Sequence, residues 1–127
     1  MNDLIDCYKR LALVIVASAV NEYAAWLAQQ ELYPRGMEDI RIEASQTGKR
    51  ASSLYSNYLK AQEQGNRAYK FLTDEAYIGN FTTYTSDELI SFAKRKAKYL
   101  ADDHRAGKKT ILKTWIDWWN NNEKDET

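Results

Sequence analysis

The segment "KRLALVIVASAVNEYAAW", residues 9–26, decides how the whole chain is interpreted. Two basic residues lead into an apolar run that ends in Ala-Ser-Ala at 17–19, which is the pattern of a secretion signal. The same run also suggests a membrane span or the central helix of a soluble protein. However, the apolar pattern continues past the proposed cleavage site to Leu27, and Asn21 and Glu22 interrupt a span, which needs about 20 apolar residues. We therefore expect an intact, cytoplasmic protein with a buried helix and no membrane partner.

The apolar residues of this segment recur at three- and four-residue steps, as on an amphipathic helix. We predict a helix over 3–31, ended by Pro34 and Gly36, whose middle is apolar nearly all round and which lies at the centre of the fold. Cys7 belongs to the apolar positions, so a buried thiol is expected. One stripe consists of Leu4, Tyr8, Leu11 and Ile15, and the other of Leu13, Val16, Val20, Tyr23 and Leu27.

Length and charge indicate one balanced domain. The chain has 127 residues, enough for one core, with 18 basic and 18 acidic side chains, so its net charge gives no reason to expect a polyanion. Its one cysteine excludes an internal disulfide framework. We predict a single helical domain over 1–127 with a polar tail from about residue 120.

Residues 37–48 are compatible with a helix, a strand or a loop. From about residue 49 to 72 the pattern is helical, with Gly48 as the expected break before it. Gly65 weakens the middle of that helix by about 1 kcal/mol relative to alanine.

The motif "YTSDEL" at 84–89 predicts a helix start. Thr85 caps the helix, Glu88 completes a capping box, and Tyr84 and Leu89 occupy the hydrophobic-staple positions. The apolar connection before it, from Phe71, is expected to pack on the bundle with one helical turn after Thr73. Gly107 is predicted to separate this helix from a last one, "KKTILKTWIDWWN". The fold class that follows is all-α, a small three- or four-helix bundle.

Catalytic motifs are missing from the sequence. His104 follows Asp102 and Asp103, but consecutive helix residues point about 100° apart and do not converge on one metal ion. His104 instead continues the inward line of the helix that starts near Thr85. We expect no catalytic residue, no metal ligand and no cofactor, and therefore a protein that is not an enzyme.

Residues 94–113 hold eight basic and two acidic residues. Such a stretch binds phosphates or an acidic protein surface, or is a solvated helix face. The tryptophans beyond it are core residues or an interface with a partner or a second copy, since tryptophan is favoured in interfaces. The candidate partner-binding residues are Lys94, Arg95, Lys98, Arg105, Lys108, Lys109, Trp115, Trp118 and Trp119.

Two segments, "CYKRLALVIVASAVNEY" (7–23) and "AYKFLTDEAYIGNFTTYTSDELI" (68–90), with a polar helix between them, resemble small helical proteins of phages and integrative elements of Gram-positive bacteria. The resemblance implies a bacterial, intracellular, mobile-element setting and carries over no functional residues. We therefore expect a non-catalytic binding protein that inhibits a host defence protein, in the manner of an anti-CRISPR protein. The alternative is a small nucleic-acid-binding accessory protein that uses the basic stretch.

Overall fold

Five helices make up the described part of the chain. The structure is a computed structural model that describes residues 2–106, and at positions 2, 3, 5 and 6 the backbone alone. The helices are α1 (Asn2–Leu32), α2 (Met37–Thr47), α3 (Ala51–Thr73), α4 (Glu75–Ile78) and α5 (Ser86–Arg105), with no strand in that range. The predicted all-α class is confirmed. The predicted last helix and the polar tail lie outside the described residues.

Helix α1 packs between α3 and α5. The Tyr23 and Tyr69 rings are 5.1 Å apart, and Tyr33 meets Tyr58, so α3 runs antiparallel to α1. In contrast, Asn21 accepts a hydrogen bond from Lys96, and Glu31 of α1 pairs with Arg105, so α5 runs parallel to α1. The core between these three helices includes Val16, Val20, Ala24, Leu72, Leu89 and Ala93.

The N-terminal half of α1 is exposed, and the prediction that the whole helix is buried is wrong there. The side chains of Leu4, Tyr8 and Leu11 are 60%, 64% and 55% exposed, and the thiol of Cys7, expected to be buried, is exposed as well. Buried positions begin at Val16. Helix α1 has 31 residues, against 23 in α3 and 20 in α5, so its first turns extend past the helices that cover its second half. Val14 and Ile15, at the end of the exposed half, still border a cleft against Phe71 of α3.

Composition alone leaves the role of α1 open. Its segment Cys7–Leu32 is long and apolar enough to cross a membrane, and 33% of the apolar window within it is buried in the molecule. A core helix of a soluble protein and an N-terminal signal sequence both meet this criterion. The criterion therefore does not separate the three interpretations of this segment.

The segment whose structure was left open, 37–48, forms a helix. It ends at Gly48, which has φ +73° and donates its N–H to the carbonyl of Ala44 at 2.9 Å. This left-handed conformation favours glycine at a helix C-terminus. The predicted break between two helices at Gly48 is thus confirmed.

Gly65 marks the closest approach of α3 to α1. A Cβ placed on Gly65 would lie 2.3 Å from Cβ and 2.7 Å from Cγ of Trp26. These atoms sit at the base of the Trp26 side chain, so they cannot swing away without moving α1. Gly65 therefore permits the packing of α3 on α1, a role that the sequence pattern did not indicate.

The connection from α3 to α5 agrees with its sequence signals. The single turn α4 follows Thr73, and Ile78 is buried at its end. The N–H of Glu88 donates to Thr85 Oγ1 at 3.2 Å, while the N–H of Thr85 donates to Glu88 Oε1 at 3.1 Å. The predicted capping box is confirmed, and α5 starts at Ser86.

Candidate functional site

Three of the predicted partner-binding residues share one exposed surface of α5. The side chains of Lys94, Arg95 and Lys98 are exposed, and Tyr99 lies beside them on the next turn. The guanidinium carbon of Arg95 lies 4.9 Å from the centroid of the Phe92 ring, which holds it in a cation–π contact. We call Lys94, Arg95, Lys98 and Tyr99 the α5 basic surface.

Lys96 lies within the same basic stretch but points into the core. It is 1% exposed, and its ammonium donates a hydrogen bond to Oδ1 of Asn21 on α1. Burial lowers the pKa of Lys96 from 10.5 to about 8, because the charged form loses its hydration. Lys96 therefore couples α5 to α1 and adds nothing to the surface charge that the sequence suggested.

Arg105 is already paired within the molecule. Its guanidinium contacts Glu31 of α1 and Asp102 of its own helix, each at 3.2 Å. These pairs hold the C-terminal end of α5 against the end of α1. A partner that bound Arg105 would have to displace them. The remaining predicted residues, Lys108, Lys109, Trp115, Trp118 and Trp119, lie outside the described range.

A polar cluster near that end joins α2 and α5 to Tyr33, the residue that follows α1. Glu43 of α2 accepts a hydrogen bond from the Tyr33 hydroxyl, and its other oxygen lies 2.8 Å from Nε2 of His104. Burial on its own would raise the pKa of Glu43, but the hydrogen bonds from Tyr33 and His104 outweigh it and lower that pKa. The same arrangement raises the pKa of Tyr33, through burial first and Glu43 second.

His104 therefore does not continue the inward line of α5, as the sequence suggested. Its side chain is 44% exposed and reaches sideways to α2. It borders an open cleft of about 610 Å³, which is also lined by Glu31, Tyr33 and Arg35. Asp102 turns away to Arg105, and no group of three metal-ligating side chains forms anywhere in the described range. The contact between Glu43 and His104 joins residues 61 apart, so no local pattern indicated it.

The exposed half of α1 forms a second candidate surface. Leu4, Tyr8, Leu11 and Ile15 follow one another at three- and four-residue steps, and exposed Cys7 and Val14 widen the stripe on one side. We call these six residues the α1 apolar face. Contiguous exposed apolar patches of this kind mark interaction sites more often than ordinary surface.

Comparisons with protein-family models, with curated proteins and with solved structures found no match for this chain.

Proposed function

We propose that this protein is a non-catalytic binding protein of a phage or mobile element, which acts in the cytoplasm of its bacterial host by binding a host protein. The target class that we propose is a host defence protein, with a CRISPR nuclease as the most concrete example. The setting rests on the resemblance of the two segments at 7–23 and 68–90 to small helical proteins of mobile elements. The observation that carries the binding function is the α5 basic surface.

The composition of this surface favours an acidic protein as its target. It places three cations and one tyrosine on adjacent turns of a rigid helix. Tyrosine and arginine are enriched at the energetic centres of protein interfaces, while exposed lysines mainly raise the association rate. Tyr99 and Arg95 would therefore supply most of the binding energy, and Lys94 and Lys98 would steer the encounter.

The same surface is small for a nucleic-acid site. Proteins that make six to ten phosphate contacts lose about 10³- to 10⁵-fold in affinity between 50 and 200 mM salt. Within residues 2–106, the α5 basic surface holds three cations of the basic stretch, because Lys96 is buried and Arg105 lies apart from them at the C-terminal end of α5. This count supports a protein target over a polyanion.

The test reverses charge on the proposed surface and on a matched surface. Lys94→Glu/Lys98→Glu changes the α5 basic surface, and Lys60→Glu/Lys70→Glu changes the net charge equally at exposed positions of α3. We expect a host protein to co-purify with the wild type and the α3 variant and to be lost with the α5 variant. Circular dichroism of all three proteins should show the same helical content.

Nucleic-acid binding is measured in parallel, by titrating DNA and RNA at about 50 and 200 mM salt. We expect no binding at the lower concentration. Sub-micromolar binding at the higher concentration, abolished by Lys94→Glu/Lys98→Glu, would replace the proposed function with that of a nucleic-acid-binding accessory protein. Equal recovery of host proteins by both charge-reversal variants would show that the α5 basic surface binds no partner.

A further inference from the structure

We propose that the α1 apolar face is a homodimer interface, in which the N-terminal halves of two α1 helices pack antiparallel. This contact is separate from the α5 basic surface and does not depend on the proposed function. It would explain why a helix of 31 residues extends past the helices that bury its second half.

The spacing of the stripe makes the face complementary to itself. Leu4, Tyr8, Leu11 and Ile15 are separated by four, three and four residues, so the order of spacings is the same in both directions. When two copies are antiparallel, Leu4 of each lies opposite Ile15 of the other, and Tyr8 lies opposite Leu11. Every layer is then apolar on both sides, as in the seam of a coiled coil. A two-fold symmetric interface requires this kind of self-complementary surface.

The residues beside the stripe fit the same register. Cys7 and Val14 both lie on one flank of the stripe, and in the antiparallel pair Cys7 of one copy lies on the same side as Val14 of the other, offset by about 3 Å along the axis. The exposed Lys9 lies opposite the stripe, and the exposed Arg10 lies at the outer edge of the flank formed by Cys7 and Val14. Both can keep their charged ends in water when the stripe is covered, which avoids the cost of burying a charge.

The described part of the chain ends far from this face. Helix α5 ends at Arg105, beside Glu31, whereas Leu11 lies about 30 Å away along α1 at 1.5 Å per residue. Within residues 2–106, Leu4, Tyr8 and Leu11 are left exposed.

A lipid surface fits the α1 apolar face less well than a second copy of the chain does. Helices that lie on membranes carry a polar face rich in lysine and arginine. Here Lys9 and Arg10 are matched in sequence by Asp3 and Asp6, so the first turns have no net positive charge.

The exposed side chains of the α1 apolar face amount to about 500 Å² per copy, so a pair would bury about 1,000 Å², the lower limit of a specific interface. We therefore expect a dimer with a micromolar dissociation constant.

The first measurement is sedimentation equilibrium of the full chain from about 1 to 100 µM, a range that brackets a micromolar dissociation constant. We expect the wild type to dimerise and Leu11→Glu to raise the dissociation constant by at least about tenfold, since Leu11 lies in a central layer. The matched control is Leu59→Glu on α3, which replaces another exposed leucine outside the face (44% exposed, against 55% for Leu11) and should dimerise like the wild type. Thermal unfolding of the variants confirms that both remain folded.

The second measurement is disulfide cross-linking, which does not depend on a destabilising change. Two Cys7 residues in the antiparallel pair are about 7.5 Å apart along the axis, which already exceeds the Cα–Cα distance of a disulfide. The wild type should therefore remain uncross-linked on mild oxidation, whereas Val14→Cys should form a covalent dimer through Cys7 and the new thiol. Adding Cys7→Ser to Val14→Cys should abolish the cross-link.

Three results would overturn the proposal. One is a wild type that remains monomeric at about 100 µM, well above the expected dissociation constant. Another is efficient cross-linking of wild-type Cys7 to itself, which indicates a parallel pair. The third is sedimentation with neutral or anionic phospholipid vesicles that is lost in Leu11→Glu but retained in Leu59→Glu, which assigns the face to a lipid surface.

Discussion

Gly65 shows how one residue sets the distance between two helices. Gly65→Ala should gain about 1 kcal/mol from helix propensity. However, the added methyl would lie 2.3 Å from Cβ of Trp26, and relieving that overlap requires α1 and α3 to separate. Overpacking of this kind costs about 1–3 kcal/mol, so we expect net destabilisation. Urea unfolding followed by circular dichroism measures it.

The control for this change is Asn66→Ala, at the next position of α3 and exposed. This change tests the effect of helix propensity without an overlap with Trp26, and it should leave the free energy of unfolding unchanged or raise it slightly. If Gly65→Ala proves as stable as Asn66→Ala, the close approach of α3 to Trp26 is incorrect.

Lys96 makes the stability of the fold depend on pH in the alkaline range. Its pKa is about 8 in the folded protein and near 10.5 in the unfolded chain. Between these values the unfolded chain binds more protons, so the free energy of unfolding contributed by Lys96 rises as pH increases from about 8 towards 10.5 and is lowest below 8. Lys96→Met should be more stable than the wild type at pH 7, and this advantage should shrink above pH 8.

Urea unfolding at pH 7, 8, 9 and 10 checks this dependence, with Lys98→Met as the exposed control. The difference between Lys96→Met and the wild type should change over this range. A constant difference would show that Lys96 is not buried as an ammonium in the folded state.

At the scale of the element, the start of α5 is determined by residues next to one another. Thr85→Ala removes the Oγ1 that accepts from the N–H of Glu88, so the free energy of unfolding should fall by about 0.5–2 kcal/mol. Thr83→Ala, at an exposed position of the same connection, should change it far less. Chemical denaturation of the two variants gives the comparison. A loss below about 0.2 kcal/mol for Thr85→Ala would mean that the capping box does not stabilise α5.

The helices differ in how far their sequences predict them. The capping box at Thr85 and the break at Gly48 depend on adjacent residues, and both were predicted. The exposure of α1 depends on where α3 and α5 stop, and nothing within residues 2–15 carries that information. An apolar stripe has the same pattern whether it is covered by the rest of the chain or by a second molecule, so Leu4 and Cys7 were wrongly expected to be buried.

At the scale of the whole molecule, the candidate surfaces depend on contacts between distant residues. The basic stretch predicted the location of Lys94, Arg95 and Lys98, which the structure exposes on one surface. It did not predict that Lys96 would be buried against Asn21, 75 residues away. The cluster of Tyr33, Glu43 and His104 likewise forms only when α1, α2 and α5 meet. The sequence therefore predicted where the basic side chains are, but not which side chains contact one another across the fold.

The packing of α5 on α1 also means that part of α1 stays uncovered in the newly made chain until α5 has been synthesised. The positions at which the two helices meet, such as Asn21 with Lys96 and Glu31 with Arg105, are 75 and 74 residues apart. At a synthesis rate of about 5–20 residues per second, α5 follows α1 by roughly 4 to 15 seconds. During that interval α3 can already pack on one side of α1, while the side that α5 will cover stays open to water. Helix α1, the most apolar of the described helices, is thus made first but fully covered only after α5 has been made, and a chaperone that binds the nascent chain would meet it first.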